Sequence, residues 1–314
     1  MISFTINVKN EIASYDSVKN ENMAMLSAII RNSGKIDSDI TITTENSKVA
    51  RRIYTLISDI YSVPVSIIDK NNNFNRNRLY IIKVSDKLDF ILKDLGILSN
   101  DNKYLETVPG YIIDSEEERR AYLKGIFLSC GSVNDPKTSR YHLEFFIDNV
   151  NEANFVNDLL NEYYLNSKVI PKDRKYMVYI KEAEKIGDFL RIIGANDAVM
   201  YYEDIRIYRD HKNMTNRLNN MEQANIEKII STCNSQIKDI ELIYDKLGKE
   251  FLDEKTFEAA TYRLKYPESS LQELSEIMSI EIGRPITKSG LNHRMRKIRE
   301  MANRLKESDN NEVL

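Results

Sequence analysis

The side chains best suited to binding chemistry in this chain are cationic and lie close to its C-terminal end. Residues 287–306 contain seven Lys or Arg side chains and a single acid, Glu300. Guanidinium groups bind phosphates and the edges of guanine bases, and hydrogen-bonding side chains are interleaved with them here. The candidate contact residues for double-stranded DNA are Ser270, Thr287, Lys288, Ser289, Asn292, His293, Arg294, Arg296, Lys297 and Arg299.

Positive charge is concentrated in this part of the chain. Residues 256–306 contain ten basic and six acidic side chains, whereas the whole chain has a net charge of −3. The remainder is therefore net acidic, and such a surface repels DNA. This keeps open an alternative in which the protein is an interaction scaffold that recruits a protein partner and contacts DNA only secondarily.

Three helices are predicted to position the cationic residues. The first covers 255–265 and ends before Pro267. Ser270 and Glu273 have the spacing of a capping box, which begins the second helix. Gly283 and Pro285 end it, and Thr287 caps a third helix that runs to about residue 305.

This succession of helices predicts a helix-turn-helix that extends from about Ser269 to Asn303. It would lie within a domain of residues 251–307. A polar tail, 308–314, would follow that domain.

Helical periodicity assigns the faces of the third helix. Leu291, Met295, Ile298, Ala302 and Leu305 form one apolar stripe. A polar face opposite such a stripe is often merely solvated, but on the last helix of a three-helix unit it is suited to the major groove of DNA. At about 100° per residue, Arg296 lies roughly 140° from the stripe, where base edges are within reach. Arg294 and Arg299 lie roughly 60° and 80° from it, where phosphates are expected. The residues expected to face outward are Ser289, Asn292, His293, Arg296 and Lys297.

Metal-binding and nucleophilic chemistry have little support. Cys130 and Cys233 have no CxxC partner, and the three histidines are scattered. Both cysteines lie at helical spacing among apolar neighbours, so each is expected to be a small buried hydrophobe. We therefore predict no metal site, no cofactor and no catalytic residue.

The first two thirds of the chain contain a duplication. Residues 26–34 and 123–131 have apolar and small residues at matching places, and Gly96 and Gly194 end the two repeats. Each segment precedes the same succession of strand-like and helix-like runs, which predicts the order α-β-β-α-β-β-α or close to it. The runs are 40–44, 48–59, 63–68, 78–84 and 86–95 in the first repeat, and 142–147, 152–161, 168–170, 176–180 and 183–193 in the second.

Two such repeats, at about 1–98 and 109–200, predict a pseudo-twofold α+β domain over 1–217. A long helix over 218–250 would link it to the helix-turn-helix domain. Small residues would let the duplicated helices pack against each other at the pseudo-twofold axis. These are Ser27, Ala28 and Ser33 in one helix, and Gly125, Ser129 and Gly131 in the other.

This duplicated region resembles the LAGLIDADG homing endonucleases, in which two paired helices each end in an acid that holds the catalytic metal. Aligned on that motif, the acids fall at Ser33 and Cys130. Neither is a carboxylate, and Asp37 and Asp135 lie further along the chain. Because a hard divalent cation prefers oxygen ligands, the resemblance implies a retained fold without the chemistry. An active metal-dependent endonuclease is the alternative.

Over nearly its whole length the chain resembles the WhiA family, bacterial proteins in which a degenerate LAGLIDADG domain is fused to a helix-turn-helix. The resemblance implies a non-enzymatic, cytosolic DNA-binding protein acting in cell division and chromosome segregation or in sporulation gene control. We also expect association with the nucleoid, and a regulatory or transcription protein is a candidate partner. The matching stretches are SFTINVKNEIA, RRAYLKGIFLSCGSVNDP, YHLEFFIDN, IYRDHKNMTNRLNNMEQAN and TKSGLNHRMRKIREMA.

No membrane association is expected from the sequence. No window approaches eighteen uninterrupted apolar residues, and the first residues lack the basic and apolar segments of a secretion signal. A cytoplasmic location is the expectation.

Overall fold

Both predicted repeats fold into the same succession of elements in the computed structural model, which describes residues 3–71, 78–138 and 140–312. The order α-β-β-α-β-β-α is confirmed in each repeat, and an additional helix precedes the first. The first repeat consists of α1 (Phe4–Ile12), α2 (Lys19–Ser33), β1 (Gly34–Ile36), β2 (Ile40–Thr44), α3 (Ser47–Tyr61), β3 (Val65–Asn71), β4 (Arg78–Val84) and α4 (Leu88–Asp94). The second consists of α5 (Glu116–Cys130), β5 (Gly131–Val133), β6 (Leu143–Ile147), α6 (Val150–Glu162), β7 (Lys168–Lys172), β8 (Lys175–Ile180) and α7 (Ala183–Ile192).

Each repeat contains an antiparallel sheet of four strands with the same topology. The strand order is β1-β2-β4-β3 in one sheet and β5-β6-β8-β7 in the other. Alternation along the strands explains why one face of each sheet is buried: Ile40 and Ile42 of β2 pair with Val84 and Ile82 of β4, and all four are buried. The α+β duplication predicted from the sequence is therefore confirmed.

The two duplicated helices, α2 and α5, pack against each other as the small residues predict. A Cβ atom on Gly125 would lie 2.4 Å from the backbone oxygen of Met25 and 2.8 Å from the Cβ of Ala28. Only a residue without a side chain allows this approach. Ser27 of α2 is also buried, and it donates a hydrogen bond of 2.7 Å to the carbonyl oxygen of Leu95.

The chain divides into two units, Met1–Asp210 and His211–Leu314. The long helix predicted at 218–250 begins much earlier, because α8 covers Asn196–Leu247. No Gly or Pro interrupts this stretch, so nothing in the sequence ends the helix. Residues 211–232 of α8 are exposed, whereas Ala198, Val199 and Tyr202 near its beginning are buried, so the predicted start at residue 218 corresponds to no boundary of the helix. The divisions at residues 217 and 250 stay predictions.

Three further helices complete the second unit and confirm the predicted helix-turn-helix elements: α9 (Glu254–Lys265), α10 (Leu271–Ile282) and α11 (Lys288–Glu312). The capping box is formed, since Ser270 accepts from the backbone N–H of Glu273 and the Glu273 carboxylate accepts from that of Ser270. Gly283 ends α10 at φ 73°.

The last helix is longer than the sequence predicts. It continues without a break beyond Asn303, the predicted end of the helix-turn-helix, and reaches Glu312. Residues 303–312 contain neither Gly nor Pro, so no residue there stops the helix. The predicted polar tail is therefore in part helical, and residues 313–314 lie outside the described residues.

Apolar side chains of all four helices meet in one core in the second unit. The last part of α8 is more than a connector, since it contributes Ile240 and Ile243. The other fully or nearly fully buried members are Ala259, Ala260, Leu274, Met278, Leu291, Met295, Ile298 and Ala302. Among the described residues, no helix is long and apolar enough to cross a membrane.

Substitution of Gly125 tests the close approach of α2 and α5. Gly125→Val would place a branched side chain against the backbone of α2, so we expect the free energy of unfolding to fall by about 1–3 kcal/mol or more. Gly110→Val is the matched control, because a Cβ there would meet no atom within 4 Å. Urea unfolding of the full chain measures both. Equal stability of the two variants would contradict the packing described.

Candidate nucleic-acid interface

The rotation of α11 is set by its buried side. Leu291, Met295, Ile298 and Ala302 are nearly or fully buried, and Leu305 is half-buried. This confirms the apolar stripe predicted from the periodicity. The other side of the helix is consequently turned to solvent, where the exposed residues include Ser289, Asn292, His293, Arg296, Lys297 and Arg299.

A group of polar side chains lies at the centre of the exposed face. The Arg296 guanidinium is 3.2 Å from Nδ1 of His293, and its Nε is 3.6 Å from a carboxylate oxygen of Glu300. About two thirds of the Arg296 side chain is exposed, so the ion pair is screened by water. Nothing in these contacts prevents Arg296 from reaching outward to another hydrogen-bonding partner.

Two of the predicted contact residues form ion pairs with acidic residues, one on α9 and one just before it. Arg294 donates to the backbone oxygen of Lys255 at 3.3 Å and lies 3.8 Å from Glu258, and only 18% of its side chain is exposed. Lys297 donates to Asp253 at 2.5 Å. The sequence places Arg294 on a flank expected to contact phosphates. In the folded unit it is largely engaged within the protein, and a helical wheel cannot show this because it omits the neighbouring helix.

Asp253 has two roles at the beginning of α9. Its carboxylate accepts from the backbone N–H of Thr256, which caps the helix, and it also accepts from Lys297. The hydrogen bond from Lys297, followed by that from the Thr256 backbone, lowers the pKa of Asp253 to about 2.

Two of the predicted contact residues are also helix caps. Ser270 accepts from the backbone of Glu273 at 3.2 Å, and Thr287 accepts from the backbone of Gly290 at 3.1 Å. These bonds fix the beginnings of α10 and α11. Whether the two residues also contact DNA stays a prediction.

The flank of α11 that faces away from α9 borders the last part of α8. A groove of about 420 Å³ lies between them, lined on the α11 side by Asn292, Met295, Arg296 and Arg299. In the part of the chain that the structure describes, neither Lys288 nor Arg299 forms an ion pair. Among the cations of α11, Arg294 and Lys297 pair with acids near α9 and Lys306 pairs with Asp239 of α8, whereas Lys288, Arg296 and Arg299 lie on the rest of the exposed surface.

In the first unit, Ser33 and Cys130 lie at the ends of the paired helices. Ser33 donates to the backbone oxygen of Ile29 at 2.7 Å, and the Cys130 thiol donates to that of Ile126 at 3.5 Å. Burial raises the pKa of Cys130 to about 11. Within the described residues, no group of three or more His, Cys, Asp or Glu side chains is placed to hold a metal ion.

Glu152 is a buried acid near this region that sequence reasoning missed. Its carboxylate accepts from the Tyr122 hydroxyl at 2.5 Å and from Asn32 at 3.4 Å, and it lies 3.9 Å from Arg31. Burial raises the pKa of Glu152, while these partners oppose the shift. Its burial could have been inferred from the sequence, because Glu152 lies one turn before Val156 on the apolar face of α6.

The two repeats and the three helices that follow α8 define the class of protein, in which a duplicated LAGLIDADG-like α+β domain is followed by a helix-turn-helix. Family models agree along the chain. Residues 19–98 match the WhiA N-terminal LAGLIDADG-like domain, residues 119–212 the WhiA LAGLIDADG-like domain, and residues 215–302 the WhiA C-terminal HTH domain. The chain belongs to the WhiA family.

Curated relatives match nearly the whole chain. A relative from Lactobacillus gasseri, named "Probable cell division protein WhiA", is 42% identical over 98% of this chain and 100% of its own length. A relative of the same name from Staphylococcus aureus is 40% identical over 99% and 100%. The crystal structure of full-length WhiA from Thermatoga maritima has the same fold, with a TM-score of 0.56, 24% identity and coverage of 96% of this chain and 99% of that one.

The depressed pKa of Asp253 predicts a pH-dependent contribution to stability. Its pKa is about 2 in the folded chain against an ordinary 3.8, so the contribution is present above about pH 4 and is lost as the pH falls through about 2. Asp253→Asn keeps a capping oxygen but removes the charge. We expect wild type to melt at a higher temperature than Asp253→Asn above pH 4, and the difference to vanish near pH 2.

Lys297→Met is the matched variant, because it removes the partner and keeps the carboxylate. When Asp253→Asn is added to Lys297→Met, the melting temperature should change far less with pH than when it is added to wild type. A difference in melting temperature between wild type and Asp253→Asn that stays constant from pH 2 to pH 6 would contradict the assignment.

Proposed function

We propose that this chain is a non-enzymatic protein that binds double-stranded DNA through α11 and acts in bacterial cell division. The observation that carries the proposal is the exposed face of α11, where Arg296, His293 and Asn292 lie opposite a buried apolar stripe. A role in cell division follows the printed name of the relatives. Association with the nucleoid, and a part in chromosome segregation or in sporulation gene control, are finer elements of the same proposal.

The proposed mode of binding places the first half of α11 in the major groove. The α10–α11 pair has the order and capping of a helix-turn-helix, in which residues near the beginning of the second helix contact base edges. Arg296 projects from the centre of the exposed face and has the fork of donors that pairs with guanine. Lys288 and Arg299 lie on the flank that borders α8, where the DNA backbone would pass.

For the first unit we propose a structural or partner-binding role without catalysis. The helices that would carry acids in a metal-dependent nuclease end at Ser33 and Cys130, and both polar groups are hydrogen-bonded within their own helices. A divalent cation would lack the carboxylate oxygens that it prefers at this place.

A second candidate function is an interaction scaffold, and the charge distribution favours it. Apart from residues 256–306, the chain is net acidic. In this version a regulatory or transcription protein docks on the first unit, and DNA contact is secondary. It predicts weak DNA binding that changes little on substitution in α11.

Substitutions in α11 should separate sequence reading from phosphate binding. Arg296→Ala should reduce the preference for a selected duplex over a scrambled one by about 1–3 kcal/mol, because one bidentate base contact is lost. Arg299→Ala should weaken both duplexes alike and make the salt dependence shallower by about 0.9. Salt titrations of fluorescence anisotropy measure both effects.

Arg294→Gln is the matched control, because that side chain is held by Glu258 and the Lys255 backbone. It should leave the salt slope unchanged. If Arg299→Ala cost specificity while Arg296→Ala left it intact, α11 would be docked in another rotation.

The absence of catalysis is also testable. With Mg²⁺ or Mn²⁺ the purified chain should leave supercoiled plasmid uncut under conditions in which a control nuclease nicks it. Nicking that disappears in Asp37→Asn, Asp135→Asn or Glu152→Gln would show an active endonuclease and would overturn this part of the proposal.

A further inference from the structure

A cavity of about 370 Å³ in the second unit lies apart from the centre of the exposed α11 face. Residues of α8, of α9, and of the beginnings of α10 and α11 line it. The polar ones are Lys228, Thr232, Arg263, Ser270, Gln272 and Lys288. Three of these are cations, and no lining residue is acidic. No acidic side chain of the lining would therefore repel a bound anion.

Arg263 is the unusual member of this set, because a long cationic side chain is fully buried. One of its terminal nitrogens donates to the backbone oxygens of Ser269 at 2.5 Å and Tyr266 at 3.3 Å. Its Nε and Nη2 are buried and, among the described residues, have no hydrogen-bond partner. Nor does any carboxylate there form an ion pair with it. A buried cation without a counter-ion is costly, and a bound anion would offset that cost.

The beginning of α10 adds a second favourable element. The first backbone N–H groups of a helix have no partner within the helix, and the helix dipole attracts negative charge there. Leu271 and Gln272, the first two residues of α10, are among the residues that line the cavity. The carboxylate of Glu273 turns back to the Ser270 backbone and does not line the cavity.

From this arrangement we infer that the cavity binds a phosphoryl group, held by the Lys228 and Lys288 ammonium groups beside buried Arg263 and the beginning of α10. Two sources share this chemistry: a phosphodiester of the DNA backbone, and the phosphate of a free small molecule. Binding of a DNA phosphodiester at this cavity rests on the proposed function, whereas binding of a free phosphate does not. Lys288 also begins α11, so a duplex lying on α11 would bring its backbone to this place.

Lys228→Gln is the informative variant, since this exposed side chain on α8 can be changed without disturbing the hydrogen bonds of Arg263. Lys238→Gln is the matched control: the same substitution, on the same helix, at a lysine that does not line the cavity. Both are made in the full chain. Circular dichroism and thermal unfolding confirm that each remains folded.

In the first arm, salt titrations of duplex binding are compared. If the cavity holds a backbone phosphate, Lys228→Gln lowers the salt slope by about 0.9 on selected and scrambled duplexes alike, and Lys238→Gln leaves it unchanged. In the second arm, inorganic phosphate is titrated calorimetrically without DNA. Binding that is lost in Lys228→Gln and kept in Lys238→Gln identifies a free phosphate as the ligand.

The inference is overturned if Lys228→Gln behaves as Lys238→Gln in both arms. Failure of the proposed function looks different, because wild type itself would then bind neither duplex. The phosphate titration still tests the cavity in that case.

Discussion

Burial of one apolar stripe on α11 determines which of its side chains face solvent. Leu291, Met295 and Ile298 can leave water only by facing α8, α9 and α10, and this fixes the rotation of the helix. At about 1.5–3 kcal/mol for each large apolar side chain, their combined burial outweighs the effect of any surface ion pair. The cations of α11 are exposed as a consequence, and their distribution around the helix follows from the same rotation.

Among the described residues, the neighbouring helices pair some of the cations on each flank of α11 and leave others unpaired. On one flank Asp253 and Glu258 neutralise Lys297 and Arg294, which ties α11 to α9. On the other flank Lys288 and Arg299 border α8, which contributes Lys228 and Thr232 to the adjoining cavity. Lys306 of α11 also pairs with Asp239 of α8 at 2.7 Å, so ion pairs tie α11 to both neighbours, and Lys288 and Arg299 are the cations left for a ligand on the α8 side. The long helix belongs functionally to the second unit over its last part, since Ile240 and Ile243 complete the core against which α11 packs.

Much of this architecture could be predicted from the sequence, because it is encoded locally. The capping box at Ser270, the stop at Gly283 and the apolar stripe of α11 each need only a few adjacent residues. The duplicated repeats could be predicted for the same reason, since their periodicity recurs in order. Gly125 was recognisable as a point of close approach through its place in a run of small residues.

Other features depended on tertiary neighbours and could not be predicted in this way. Arg294 looks like a phosphate ligand until Glu258 of a different helix is placed beside it. Burial of Arg263 likewise depends on which elements cover it, and a charge in the sequence carries no sign of that. The beginning of α8 was missed because the exposed residues 211–217 have no buried side that would continue the apolar periodicity back to Ala198, Val199 and Tyr202.

Site-specific photocrosslinking to duplex DNA tests directly whether DNA binds to the exposed face of α11. A photoreactive amino acid is placed either at Asn292, on the exposed face of α11, or at Ile67, an exposed position on β3 of the first unit. If α11 is the DNA-binding face, irradiation crosslinks DNA to the chain with the probe at position 292 and leaves the chain with the probe at position 67 uncrosslinked. Crosslinking from position 67 with none from position 292 would contradict it and would place the DNA on the duplicated domain.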